Sequence, residues 1–144
     1  KVTTFTTTSF SCLLKKIKKT NPPGMYNVTI TRKGKGVPPI VLPSAFSIMA
    51  PEIQNIEPDI DEAGEEVTIF GSFFGTKKVK AYMDDGITKK PKKCKVTSLT
   101  MDSTTGESEL KILVPKKGLL PGQCDVTVTN KVGEDTLVGG FTIQ

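Results

Sequence analysis

The stretch Val67-Thr68-Ile69-Phe70-Gly71-Ser72-Phe73-Phe74-Gly75 decides the fold. Val67 and Ile69 alternate with Thr68 and Phe70, the two-residue period of a half-buried strand. The two glycines suit turns because glycine accepts positive φ, and they bracket a Ser-Phe-Phe that can plug the end of a sheet. Upstream stands Pro51-Glu52-Ile53-Gln54-Asn55-Ile56-Glu57-Pro58, then an acidic turn through Ala63-Gly64; downstream stands Val79-Lys80-Ala81-Tyr82. Short apolar alternations parted by Gly, Pro and Asp predict an all-β protein. No stretch carries an apolar period of 3.6, so almost no helix is expected.

This order, PxIxxIxP, a glycine turn, VTIxGxxFG and then VxxY, resembles the IPT/TIG family. Its members are immunoglobulin-like β-sandwiches of the E-set type, found in plexin-type receptors, Rel-type transcription factors and many bacterial surface proteins. The resemblance implies the fold. It implies no single function, because the family serves several on one scaffold. In style the lysine-rich and threonine-rich strands are closest to the bacterial surface members.

The chain also repeats itself. Lys1-Val2-Thr3-Thr4-Phe5-Thr6 echoes Lys95-Val96-Thr97-Ser98-Leu99-Thr100, and Pro23-Gly24-Met25-Tyr26-Asn27-Val28-Thr29-Ile30-Thr31 echoes Pro121-Gly122-Gln123-Cys124-Asp125-Val126-Thr127-Val128-Thr129. Phe46-Ser47-Ile48 then echoes Phe141-Thr142-Ile143. Three echoes in one order predict tandem units: residues 1–49 as the C-terminal half of a first IPT/TIG-like sandwich and residues 50–144 as a complete one. Leu110, Ile112 and Val114 read as the inward face of a strand that Pro115 ends, and the echo sets Cys12 at the position of Leu110. The junction Ser47-Ile48-Met49-Ala50-Pro51-Glu52-Ile53 has no Gly or Ser-rich slack, so a stiff joint is expected. Half a sandwich leaves an apolar face and strand edges open. A longer tandem array, strands donated by another subunit, or strands extending the second unit's sheets would each resolve this.

Composition narrows the function. The chain has no His and no Trp, which removes the commonest general base and lowers the expectation of an enzyme. Its 144 residues carry a net charge of +5, divided as +8 over residues 1–50 and −3 over residues 51–144. A basic front end suits an anionic polysaccharide or another polyanion, or is a solvated lysine face. Arg32 is the only arginine, and lysine-dominated charge argues against sequence-specific DNA recognition. No apolar run approaches the roughly 20 residues of a transmembrane helix, so no membrane insertion is expected.

No catalytic, cofactor or metal site is expected. Lys15, Lys16, Lys18, Lys19, Arg32, Lys33 and Lys35 form the candidate anionic-ligand patch. Cys94 and Cys124 are a candidate disulfide, although Tyr26 stands in place of Cys124 in the first repeat. Asp59, Asp61, Glu62, Asp84 and Asp85 read as calcium ligands near a sandwich end or, without EF-hand spacing, as solvated turn carboxylates. Asn27-Val28-Thr29 matches the N-glycosylation triplet within an expected strand.

The expected function is a structural, spacer or adhesive module of a secreted or cell-surface protein, not an enzyme. Its expected partners are other protein domains or copies of itself, with assembly by strand complementation of the incomplete first unit. The alternatives are a carbohydrate-binding accessory module of a larger enzyme and a DNA-backbone-contacting dimerisation domain of a Rel-like transcription factor.

Overall fold

The computed structural model describes residues 2–5, 10–12, 21–31, 36 and 38–144, the first two spans as backbone alone. The described residues form thirteen strands and no helix. Four come first: β1 Val2–Phe5, β2 Phe10–Cys12, β3 Gly24–Ile30 and β4 Ile40–Ile48. β5 Glu52–Glu57, β6 Ile60–Asp61, β7 Glu66–Ser72, β8 Lys80–Asp84 and β9 Lys92–Lys93 follow. β10 Lys95–Met101, β11 Glu107–Leu113, β12 Gly122–Thr129 and β13 Glu134–Ile143 complete the chain.

Residues 52–143 make two facing sheets, a β-sandwich. One has the order β10-β11-β7-β5 and the other β6-β13-β12-β8-β9. Pairing is antiparallel except between β6 and β13. Alternation decides what lies between them: Val67, Ile69, Leu110 and Ile112 of the first sheet meet Ala81, Met83, Val126, Val128 and Phe141 of the second, all fully buried. Val114 is buried too, and the chain leaves the sheet at Pro115. The lysine run from Lys89 ends in β9, the charged edge of the second sheet, where exposed lysines discourage pairing with another chain.

The Ser-Phe-Phe segment plugs the sandwich, as its glycine brackets suggested. Phe74 is fully buried and its amide donates to Ser108 Oγ at 3.2 Å; Ser108 in turn donates to the Gly106 carbonyl. Phe73 takes a left-handed φ of 57° and its ring lies over Gly106. Gly71 needs no unusual dihedral. What it supplies is space, because a Cβ there would collide with the Glu52 carbonyl oxygen and the Phe74 ring.

The internal echoes are repeated in three dimensions. β3 pairs with β4 as Gly24↔Ile48, Tyr26↔Phe46 and Val28↔Leu42, with a bulge between Tyr26 and Val28. β12 pairs with β13 as Gly122↔Ile143, Cys124↔Phe141 and Val126↔Leu137, with a bulge between Cys124 and Val126. Even the bulges are built alike. Ser44 (φ 50°) and Gly139 (φ 60°) are left-handed at equivalent positions. The Ser44 amide donates to Asn27 Oδ1 at 2.9 Å, and the Gly139 amide to Asp125 Oδ1 at 2.8 Å. β1 and β2 likewise reproduce β10 and β11, with register shifts between Val2 and Thr4 and between Val96 and Ser98. This register corrects one expectation: Val2↔Cys12 matches Val96↔Ile112, so Cys12 stands at the position of Ile112, and Phe10 at that of Leu110.

Two substitutions test the plug by urea denaturation. Gly71→Ala is expected to cost about 2 kcal/mol through overpacking, and Phe74→Ala about 3–5 kcal/mol through lost burial and a cavity.

Candidate interaction site

Three features converge where the first strands meet the sandwich. First, the β3–β4 hairpin has the apolar face of β12–β13 but not its cover. Val126, Val128 and Phe141 are fully buried, whereas their counterparts Val28, Ile30 and Phe46 are only half-buried and Leu42 is exposed. Tyr26 and Phe46 pack on each other in a tilted pair, ring centroids 6.5 Å apart, and the Tyr26 hydroxyl donates to the Pro22 carbonyl. Asn27 of the glycosylation triplet lies exposed in β3, its Oδ1 occupied by the Ser44 amide.

Second, the joint is short and packed. Only Met49, Ala50 and Pro51 separate β4 from β5, and Ile48 and Pro51 are buried. The β12–β13 turn at Gly133 lies against it, with room for a Cβ 3.4 Å from Ala50 Cβ and 3.9 Å from Pro23 Cγ. The Ile53 amide donates to Asp135 Oδ2 at 2.6 Å, fixing the start of β5 to the start of β13.

Third, Asn130 ties this turn to the plug. Its Nδ2 donates to the carbonyls of Phe73 and Phe74 at 3.1 and 3.2 Å, while its Oδ1 accepts the amides of Val132 and Gly133. Both ends of one carboxamide are thus used, which no other side chain of similar size can reproduce. The Asn130-Lys131-Val132-Gly133 sequence signals the turn by its Asx pattern. The donation to residues 56 and 57 positions earlier carries no local signal.

The remaining candidates separate. The patch of Lys15, Lys16, Lys18, Lys19, Arg32, Lys33 and Lys35 lies outside the described residues. Cys94 and Cys124 are buried free thiols, not a disulfide. Strand order gives the reason. Cys94 continues β9, its amide bonded to the Ala81 carbonyl, and β8 intervenes before β12, which contains Cys124. Two strand spacings are about 10 Å, beyond the roughly 7 Å between Cα atoms that a disulfide spans. Burial pushes the Cys94 thiol up to about 12, with the neighbouring Cys124 adding to the rise, and burial raises Cys124 as well.

The acidic candidates cap turns. Asp84 accepts the Gly86 amide, Asp61 the Glu62 amide, and Asp85 the amides of Ile87, Thr88 and Leu120, which joins the β8–β9 and β11–β12 loops. These bonds, the Thr88 and Leu120 amides first, hold the Asp85 carboxyl well below the usual carboxylate range. Among the described residues no three Asp, Glu, Cys or His side chains converge as a metal site. On the outer face of the first sheet, Gln54, Phe70, Thr100, Glu107, Ser108 and Glu109 line an open groove of about 340 Å³.

No protein-family model and no curated protein matches the chain. Among solved structures, a crystal structure of a protein of unknown function from Bacteroides thetaiotaomicron VPI-5482 is similar to it, at 26% identity and a TM-score of 0.56 over 67% of this chain. The match spans 22% of that protein, so the chain corresponds to about a fifth of its length.

Asn130→Ala is expected to cost about 1–3 kcal/mol, the desolvation of two carbonyls left without donors. Asn130→Asp should cost at least as much at neutral pH and recover on acidification, when the protonated carboxyl can donate again; urea titrations at two pH values check this. For the thiols, the folded chain holds the Cys94 proton to a higher pH than the unfolded chain does. Stability is therefore full below the ordinary thiol value of 9.0 and falls as pH rises from there towards about 12. Alkylation at pH 8 should be slow in the native chain and fast in denaturant.

Proposed function

We propose that this chain is a non-enzymatic spacer of tandem IPT/TIG-like, E-set-type sandwiches in a secreted or cell-surface protein. Residues 1–49 contribute the C-terminal half of one sandwich and residues 50–144 a complete second. The observation that supports the reading is the joint. A connector of only Met49, Ala50 and Pro51, with Pro51 buried and the Gly133 turn against Ala50 and Pro23, has little freedom to hinge. Units alike in register and bulge and joined with so little slack hold one orientation, which is what a spacer requires.

The groove at Phe70 favours one other reading, a carbohydrate-binding accessory module. Its volume of about 340 Å³ is that of a small-ligand site, and Phe70 is half-buried among amide, hydroxyl and carboxylate groups. A single aromatic ring offers little stacking surface, so the spacer reading is preferred.

Small-angle scattering tests the spacer. Inserting Gly-Ser-Gly-Ser after Ala50 should broaden the distance distribution and raise the radius of gyration of a chain that was stiff. An unchanged profile means the joint was already loose, and the spacer reading fails. Retention on a polysaccharide column, lost in Phe70→Ala, would replace it with the accessory-module reading.

A further inference from the structure

The outer face of the first sheet carries charge that the sandwich does not use. Phe70 of β7 alternates with the buried Val67, Ile69 and Gly71 and so faces outward, half-buried. Its cross-strand neighbours are Asn55 of β5 and Glu109 of β11, and Thr100 of β10 stands beyond Glu109 in the same row. Residues directly opposed across a ladder hold their Cβ atoms about 5 Å apart, so Glu109 flanks the ring. Glu107 lies two residues along β11 on the same face, opposite Ser72. The groove over the ring, about 340 Å³, is lined by Glu107, Glu109 and Asp102 and by no described lysine; Lys111 stands in the next row, opposite Thr68. Asp102 Oδ1 accepts the Thr104 and Thr105 amides, whereas the carboxylates of Glu107 and Glu109 form no hydrogen bond or ion pair with any described residue. A half-buried ring beside unpaired carboxylates is complementary to a cation.

We propose that this groove binds an arginine side chain presented by a partner protein. The ring selects the cation. One ring offers a single flat face, which suits the planar guanidinium, whereas a compact ammonium has no plane to lay on it. A guanidinium stacked on Phe70 directs the N–H groups of its edge sideways, where the Glu109 and Glu107 carboxylates accept them in charge-assisted bonds. A neutral sugar brings no charge to those carboxylates, and an anionic polysaccharide is repelled by them. The same lining favours a protein as the source: a free amino acid would carry its own carboxylate into a groove with no cationic group among its described residues. The backbone beside the arginine finds partners in the Thr100 hydroxyl and in Gln54, whose amide nitrogen donates to Ser72 Oγ at 3.4 Å and whose carbonyl oxygen is left to accept. Every residue of the groove lies between positions 54 and 109, so the proposal goes beyond the spacer reading and does not depend on the joint.

The probe is the capped tripeptide acetyl-Ala-Arg-Ala-amide, titrated into the full 144-residue chain with backbone amide chemical shifts as the readout. Saturable binding is expected, with shifts centred on Gln54, Phe70, Thr100 and Glu107–Glu109. Citrulline in place of the arginine keeps the plane and removes the charge, and lysine keeps the charge and removes the plane; each should weaken binding about tenfold. Free arginine should bind more weakly than the peptide. In the chain, Glu109→Gln should lower the affinity about tenfold with the urea midpoint unchanged, and Phe70→Leu should remove the preference for arginine over lysine. No saturable binding, or shifts centred elsewhere, overturns the proposal. Equal binding of the citrulline peptide would leave a groove that reads shape alone, and equal binding of the lysine peptide an acidic surface that takes any cation; either result overturns it. Tighter binding of free arginine overturns the partner protein as the source. Retention on a polysaccharide column that Phe70→Ala abolishes and the arginine peptide does not displace would give the groove to a sugar and overturn it as well. The scattering test of the joint is separate: a loose joint sinks the spacer reading and leaves the peptide result standing.

Discussion

The burial of Phe74 is the constraint on which the sandwich depends. A strand that leaves one sheet and enters the other exposes its turning backbone at the end of the core, where water is excluded. Here the ring goes inward while Ser108 Oγ takes the Phe74 amide and Asn130 takes the carbonyls of Phe73 and Phe74. The exchange works only because Gly71 and Gly106 leave room for the two rings. The same Asn130 holds the turn that rests on Ala50 and Pro23, so the plug and the joint share one side chain. A sandwich with a disordered plug would also have a disordered joint.

The two copies of the hairpin separate what is local from what is tertiary. Asn27 and Asp125 make the same bond to the same bulged amide, although one hairpin is covered and the other open. The bulge is therefore set by a side chain and a left-handed residue within the hairpin, not by the opposing sheet. Glycine at 139 takes this conformation without steric cost, whereas Ser44 relies on the Asn27 bond to hold it. Burial is the part that differs, and burial is what the opposing sheet supplies.

Much of this was legible in the residues. The alternation in Val67–Phe70, the inward Leu110, Ile112 and Val114 and the echoes all rest on period-two patterning and turn chemistry, which act over a few positions. Long-range choices were not legible. Cys12 moves from the position of Leu110 to that of Ile112 because strand register is settled by pairing across the ladder, and a bulge shifts the count by one. The disulfide fails because β8 comes between, an ordering that no spacing of cysteines encodes. Asn130 escaped notice because its partners lie 56 and 57 residues away.

Charge shows the same limit in another form. The −3 of residues 51–144 reads as an acidic surface. Yet every aspartate there except Asp59 spends its carboxylate on a backbone amide: Asp61, Asp84, Asp85 and Asp102 in turns, Asp125 at the bulge, Asp135 at the start of β5. A carboxylate held by amide donors is stabilised as an anion and is already coordinated, which is why Asp85 and Asp102 stay ionised to lower pH than usual. Lys89, Lys90, Lys116 and Lys117 of the two loops that Asp85 joins stand exposed. They stand beside carboxylates that remain anionic, so the formal count holds, and it is the placement of the charges and not their sum that decides which partners this domain would attract.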